Sequence, residues 1–168
     1  MAATALSPSE SRRVAPGGLG ETGRRAFAPS DDLGENAAEV ELVERSPTPD
    51  EYVTLRSGVG WPSPSTGECA RALRGSLGAV CAVHDGQVIG MGRLVGDGAM
   101  YCFVVDVVVD PYHQGRGVGR AINERLESMA TVGRFGQRLD LVAAAPVVPF
   151  YQRLGYSRLE SDLMRKPL

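Results

Sequence analysis

The sequence predicts an α/β domain built on a mixed sheet, of the α+β kind, with helices packed on it. Three observations lead there. Residues 100–109, the most apolar run of the chain and rich in valine, read as a central strand buried on both faces. Residues 79–84 and 87–95 are two further strand-like runs, joined at Asp85-Gly86, a strong hairpin signal. The apolar period then changes. Val118, Ala121, Ile122, Leu126, Met129 and Ala130 fall on one face of a helix of about three to four turns.

The elements follow in order. Residues 1–37 read as a disordered tail, rich in Gly, Pro, Ser and Ala, with Phe27 as its only aromatic residue. Such a stretch cannot bury enough apolar surface to offset its ordering entropy. It lacks the apolar core of a secretory signal, and Glu10, Glu21, Asp31 and Asp32 count against a transit peptide. Residues 38–168 are a good size for one core. Residues 40–43 read as a short strand. Thr48-Pro49-Asp50-Glu51 is a helix start, with a capping threonine, a proline in the first turn and a glutamate three residues on. Tyr52, Leu55 and Val59 then share a face. Ser65-Thr66-Gly67-Glu68 is a second capping box, and Cys69, Ala72, Leu73, Ser76 and Leu77 follow it at helical spacing. Gly90, Gly92 and Gly96 lie on the second hairpin strand and its turn, where glycine marks a bulge or a close backbone approach. Gly96-Asp97-Gly98 is a tight turn. Residues 139–144 read as a strand, 149–154 as a short helix ended by Gly155, and 163–166 as a last edge strand.

Composition narrows the function classes. Lys and Arg total 18 against 20 Asp and Glu, a net charge of -2, which argues against a broad basic face for nucleic acid. No apolar run approaches the ~20 residues of a membrane helix. Three cysteines, Cys69, Cys81 and Cys102, have no metal-ligand spacing and are odd in number, so reduced thiols in a cytoplasm are the simplest reading. Two histidines, His84 and His113, without clustered carboxylates argue against a catalytic metal. His84 stands beside a hairpin turn and is expected to be exposed.

The sharpest signal is local. A buried strand ends at Asp110-Pro111, and Tyr112-His113-Gln114-Gly115-Arg116-Gly117-Val118-Gly119-Arg120 runs straight into the amphipathic helix. Glycines let backbone N–H groups reach a ligand, and the helix start adds unpaired donors and a positive dipole end. Arg116 and Arg120 can reach phosphate oxygens. Together these predict a diphosphate site. A Walker loop would need a Gly-Lys-Ser/Thr that is absent, and a dinucleotide fingerprint would need G-x-G-x-x-G.

Gln114-x-x-Gly117-x-Gly119 matches the Q/R-x-x-G-x-G/A signature of the GNAT N-acetyltransferase superfamily. Phe150-Tyr151-Gln152-Arg153-Leu154-Gly155-Tyr156 looks like that family's F-Y-x-x-x-G-F/Y motif. Over residues 38–168 the order of elements is similar too, so the chain resembles this family. The resemblance implies the acyl-coenzyme A N-acyltransferase fold, a central splayed sheet flanked by helices. It also implies acetyl-coenzyme A as the acetyl donor, without a metal. The pantetheine arm would lie along Val107, Val108 and Val109. Backbone N–H groups of Gln114, Gly115, Arg116, Gly117, Val118 and Gly119 would hold the diphosphate. The slot would open between residues 100–109 and 139–144. Many members carry an asparagine where this chain has Ala143-Ala144-Ala145, so coenzyme contacts there would be backbone only. The segment after Gly155 is short, and a homodimer partner is one way to complete or cover that edge.

Tyr151 is the candidate acid for the departing thiolate, on the family's placement of a tyrosine there. It also reads as a packing residue on an amphipathic turn. Asp106 interrupts the valine run, where a charge is costly unless paired or used. It is either the base for the amine, or a structural carboxylate at a bulge or against Arg93. A backbone carbonyl with a relay water could take the proton instead. Tyr52, Arg56 and Trp61, between the first strand and the hairpin, and Arg93 and Asp97 on the hairpin strand are the candidate acceptor contacts. Tyr52 also reads as core. The expected reaction is direct acetyl transfer to a primary amine of a small molecule: an aminosugar, polyamine, amino-acid derivative or arylalkylamine. The alternatives are acetylation of a protein N-terminus or lysine, and a non-catalytic coenzyme A-binding sensor module.

Overall fold

The computed structural model describes the backbone of residues 24–26, together with residues 40–160, 164 and 166. Six strands form one sheet in chain order: β1 (Arg24–Ala26), β2 (Glu41–Val43), β3 (Gly78–His84), β4 (Gln87–Gly96), β5 (Cys102–Val109) and β6 (Leu139–Leu141). β1 to β5 pair antiparallel, and β6 runs parallel to β5. Among the described residues four α-helices join the sheet: α1 (Pro49–Gly58), α2 (Thr66–Arg74), α3 (Val118–Gly133) and α4 (Val148–Arg153). β1 lies inside the stretch read as a tail. It adds to the free edge of β2, where unpaired backbone groups invite a partner.

The sheet separates two cores. On one face α1 and α2 bury Tyr52, Leu55, Cys69 and Leu73 against Met91 and Val108. On the other, α3 sets Val118, Ala121, Ile122 and Leu126 on Val80, Leu94 and Val104. The glycines of β4 make the second packing possible. A Cβ at Gly92 would lie 2.8 Å from Leu126 and 2.9 Å from Ile122, and one at Gly90 3.0 Å from Ile122. The helix therefore rests directly on the strand backbone.

β5 departs from the uniform, doubly buried strand that its composition predicts. It begins at Cys102, leaving Met100 and Tyr101 exposed, and its burial alternates. Midway it bulges. Arg93 pairs with Val105 and Met91 with Val108, so Gly92 opposes both Asp106 and Val107. The extra residue reverses the side-chain parity. Val104 faces α3, whereas Val108 faces α1 and α2. β6 is also shorter than the expected residues 139–144. It ends at Leu141, and Val142 is exposed. The last edge strand expected at 163–166 falls largely outside the described residues.

Candidate active site

The glycine loop begins where β5 stops. The Asp110 carboxylate accepts the Tyr112 N–H at 2.9 Å and meets His113 Nδ1 at 3.1 Å, closing one 3-10 turn. Gln114 Nε2 donates to the Val109 carbonyl at 2.9 Å and ties the loop back to the strand. Gly115 and Gly117 have φ of 75° and 81°, in the left-handed region where a side chain is strained. A Cβ at either would meet nothing within 4 Å, so the loop lies open. α3 starts at Val118, whose buried side chain anchors it, with Gly117 at the cap position and no side-chain bond there. No hydrogen bond among the described residues takes the N–H groups of residues 115–120. Arg116 and Arg120 flank these free donors, both exposed. The site is suited to a diphosphate.

The strand beside it is open along one side. β6 pairs with Cys102, Phe103 and Val104, and beyond that point no strand among the described residues lies against β5 on that edge. Residues 105–109 thus offer main-chain groups to a ligand, save the Val109 carbonyl that Gln114 occupies. The expected parting of β5 from the 139–144 segment begins right after three paired residues.

Asp106 sits at the bulge with φ of 53°. Its Oδ2 accepts from Arg93 Nη2 at 2.6 Å, Arg93 Nε at 2.9 Å and the Tyr52 hydroxyl at 2.9 Å; its Oδ1 accepts from Arg56 Nη1 at 2.7 Å. Of its two sequence readings, the pairing with Arg93 at a bulge is the one seen. Oδ2 thus takes three hydrogen bonds, while Oδ1 takes one, from Arg56. The cluster explains how charges persist under α1 and α2, since each is paired and hydrogen-bonded. Burial, and then the Asp106 carboxylate, push the Tyr52 hydroxyl above the usual tyrosine range.

The cluster gathers most of the residues singled out for the acceptor. Arg93 also binds the Ala72 carbonyl and Ser76. Arg56 Nη2 binds the Pro62 carbonyl at 2.8 Å, and its guanidinium lies 5.3 Å from the Tyr52 and Trp61 ring centres. Tyr52 is core, and Trp61 is 39% exposed. Asp97 stands apart. Its Oδ1 accepts the N–H groups of Ala99, Met100 and Tyr101, which hold its carboxyl below the usual range and make it a turn residue.

Tyr151 lines a groove of about 1030 Å³ with Phe103, Leu141, Val142 and Tyr156. Its ring packs edge-on to Phe150 and Tyr156, at 5.0 and 5.7 Å. Burial pushes its hydroxyl above the usual range, so it holds its proton at neutral pH. The two motifs touch. A Cβ at Gly119 would lie 3.7 Å from both Phe150 and Val109.

Three features escaped sequence reasoning. The Gln114 side chain braces the strand end. Asn123 is fully buried, accepts from the Tyr156 hydroxyl at 3.5 Å and leaves Nδ2 without a partner. His84 is mostly covered, and its ring meets that of His113 edge-on at 5.4 Å. Among the described residues no group of three or more His, Cys, Asp or Glu could hold a metal.

A family model described as an acetyltransferase (GNAT) domain matches residues 76–158, from the end of α2 through α4. Histone acetyltransferase TAP1 of Glycine max is 34% identical over 110 residues, covering 58% of this chain and 47% of that protein. Serotonin N-acetyltransferase 2, chloroplastic, of Oryza sativa subsp. japonica is 35% identical over 111 residues, covering 64% and 54%. The chain spans about half the length of these curated relatives. A probable acetyltransferase from meticillin-resistant Staphylococcus aureus superposes with a TM-score of 0.70 at 25% identity, covering 77% of this chain and 99% of the other. By sequence over residues 76–158 and by fold, this is a domain of the GNAT acetyltransferase kind.

Proposed function

We propose that this protein transfers acetyl from acetyl-coenzyme A directly to the primary amine of a small molecule. One observation carries the reading: an uncapped helix start and an unpaired strand edge adjoin, so a diphosphate and an extended arm can be held end to end. Backbone N–H groups of residues 114–119, with Arg116 and Arg120, grip the diphosphate. The edge of β5 at Val107, Val108 and Val109 aligns the arm. The amine lone pair bonds to the thioester carbonyl carbon and the C–S bond breaks. Tyr151 gives its proton to the leaving thiolate and regains one from water. The proton lost by the amine goes to water, because the Asp106 oxygens are held by Arg56 and Arg93. A small acceptor is favoured over a protein by the α1–α2 loop, which Arg56 clamps through the Pro62 carbonyl and the Trp61 N–H. The compartment we propose is the cytoplasm, on the strength of Cys69, Cys81 and Cys102 being unpaired and buried.

Thiol release from acetyl-coenzyme A across a panel of amines tests this. Tyr151→Phe is expected to lower kcat roughly 10²- to 10³-fold with coenzyme affinity held within about twofold. Because burial raises the Tyr151 hydroxyl, its acid role persists until pH exceeds the ordinary tyrosine value, and kcat should show no loss from its ionisation below about pH 10. Coenzyme binding without turnover of any amine would instead identify a sensor module.

A further inference from the structure

The cluster under α1 and α2 has more positive than negative charge. Two guanidiniums, Arg56 and Arg93, close on the single carboxylate of Asp106. Arg93 is engaged at every nitrogen: Nε and Nη2 bind Asp106, Nη1 binds Ser76 and the Ala72 carbonyl, and its side chain is only 8% exposed. Arg56 is not. Nη1 binds Asp106 and lies 3.4 Å from the Tyr52 hydroxyl, Nη2 binds the Pro62 carbonyl, and Nε has no partner. A guanidinium carries five N–H donors, and these contacts do not use them all. The Arg56 side chain is 16% exposed beside Trp61, whose ring lies against it. The unbalanced charge therefore reaches solvent at Arg56, next to the bulge where the edge of β5 opens.

We infer that the acceptor amine carries an anionic oxygen group, a carboxylate or a phosphate, and that Arg56 binds it while Trp61 covers the acceptor's carbon frame. This deepens the acetyltransferase reading and rests on it. A planar guanidinium with unmet donors in a partly dry site recognises carboxylate and phosphate oxygens by charge-assisted hydrogen bonds. The same surplus charge disfavours an ammonium relative to its neutral amine, so the nucleophilic form is promoted without a carboxylate base. A polyamine brings only cations to this place and is repelled.

The test pairs tyrosine with tyramine for the carboxylate, and glucosamine 6-phosphate with glucosamine for the phosphate. Thiol release by the full chain is expressed as kcat/KM per neutral amine, because tyramine has a pKa near ~10 and tyrosine's amine a lower one. The anionic member of at least one pair should be favoured by about tenfold or more, and the preference should shrink as ionic strength rises. Arg56→Gln should bring the ratio to about one, mainly through KM, and Arg56→Lys should keep part of it. Equal or reversed preference in both pairs overturns the inference. So does release from other amines but from none of these four, or a folded Arg56→Gln that keeps the full preference. Where Arg56→Gln does not fold, a preference indifferent to salt in the unaltered chain overturns it. No release from any amine overturns the acetyltransferase reading itself, a result distinct from all of these.

Discussion

α1 and α3 begin in opposite ways. At α1 the Thr48 hydroxyl accepts the Glu51 N–H at 3.2 Å, the Glu51 carboxylate accepts the Thr48 N–H at 2.7 Å, and Arg45 holds Glu51 at 2.8 and 2.9 Å. α2 repeats the box with Ser65 and Glu68. α3 has a glycine at the same position and no side chain to satisfy its first N–H groups. Every helix start leaves such donors, and a fold that needs only stability closes them. A helix that takes a glycine in place of a capping side chain gives up only roughly a few tenths of a kcal/mol and keeps a set of aimed donors. α4 also starts without a side-chain cap, at Val147, so what sets α3 apart is that its open donors adjoin the glycine loop and the edge of β5.

Closing the open end should have the largest effect. Gly117→Asp supplies a cap and a negative charge at the proposed diphosphate site, and aspartate tolerates positive φ better than most residues. Coenzyme affinity, measured by titration calorimetry, should fall about thirtyfold or more, a cost of roughly 2 kcal/mol from like-charge repulsion and lost donors. A coenzyme affinity left intact would show that α3 does not grip the anion. Opening the closed end is the converse. Thr48→Ala should cost about 1 kcal/mol in urea unfolding and leave coenzyme affinity unchanged, with Ser65→Ala acting in the same direction. The smallest effect is on pH. The Arg45 hydrogen bond, together with the Thr48 N–H, lowers the Glu51 carboxyl, so its contribution to α1 is complete above the ordinary glutamate range and lost as pH falls through the lowered value. Glu51→Gln should flatten that acid limb without touching the coenzyme.

What the sequence conveyed and what it withheld divide along the same physical line. Both capping boxes, the Asp85-Gly86 hairpin and the Gln114–Gly119 signature were legible because their chemistry is local, set by residues three or four positions apart. The Asp106 cluster was legible only in part. A carboxylate inside a valine run announces that it needs a partner, and Arg93 was within reach of that argument across a hairpin. Arg56 and Tyr52 were not, since they come from a helix some 50 residues away that folds over the strand. The bulge at Asp106 stayed hidden for a related reason. Its evidence is the pairing of β5 with β4, and nothing in the run of valines marks where a strand gains a residue. Buried Asn123 was likewise hidden among the apolar positions of α3.

Gly119 has one more implication. Around it the first turn of α3, the end of β5 and the ring of Phe150 meet at a single point. Tyr151 is the next residue along, so the proposed anion grip and the proposed acid are mounted on the same joint. A molecule stretched between them is gauged against a fixed span, as by a pair of calipers locked at one setting. An alanine here would fit, its Cβ in ordinary contact with Phe150 and Val109, and would leave that setting unchanged.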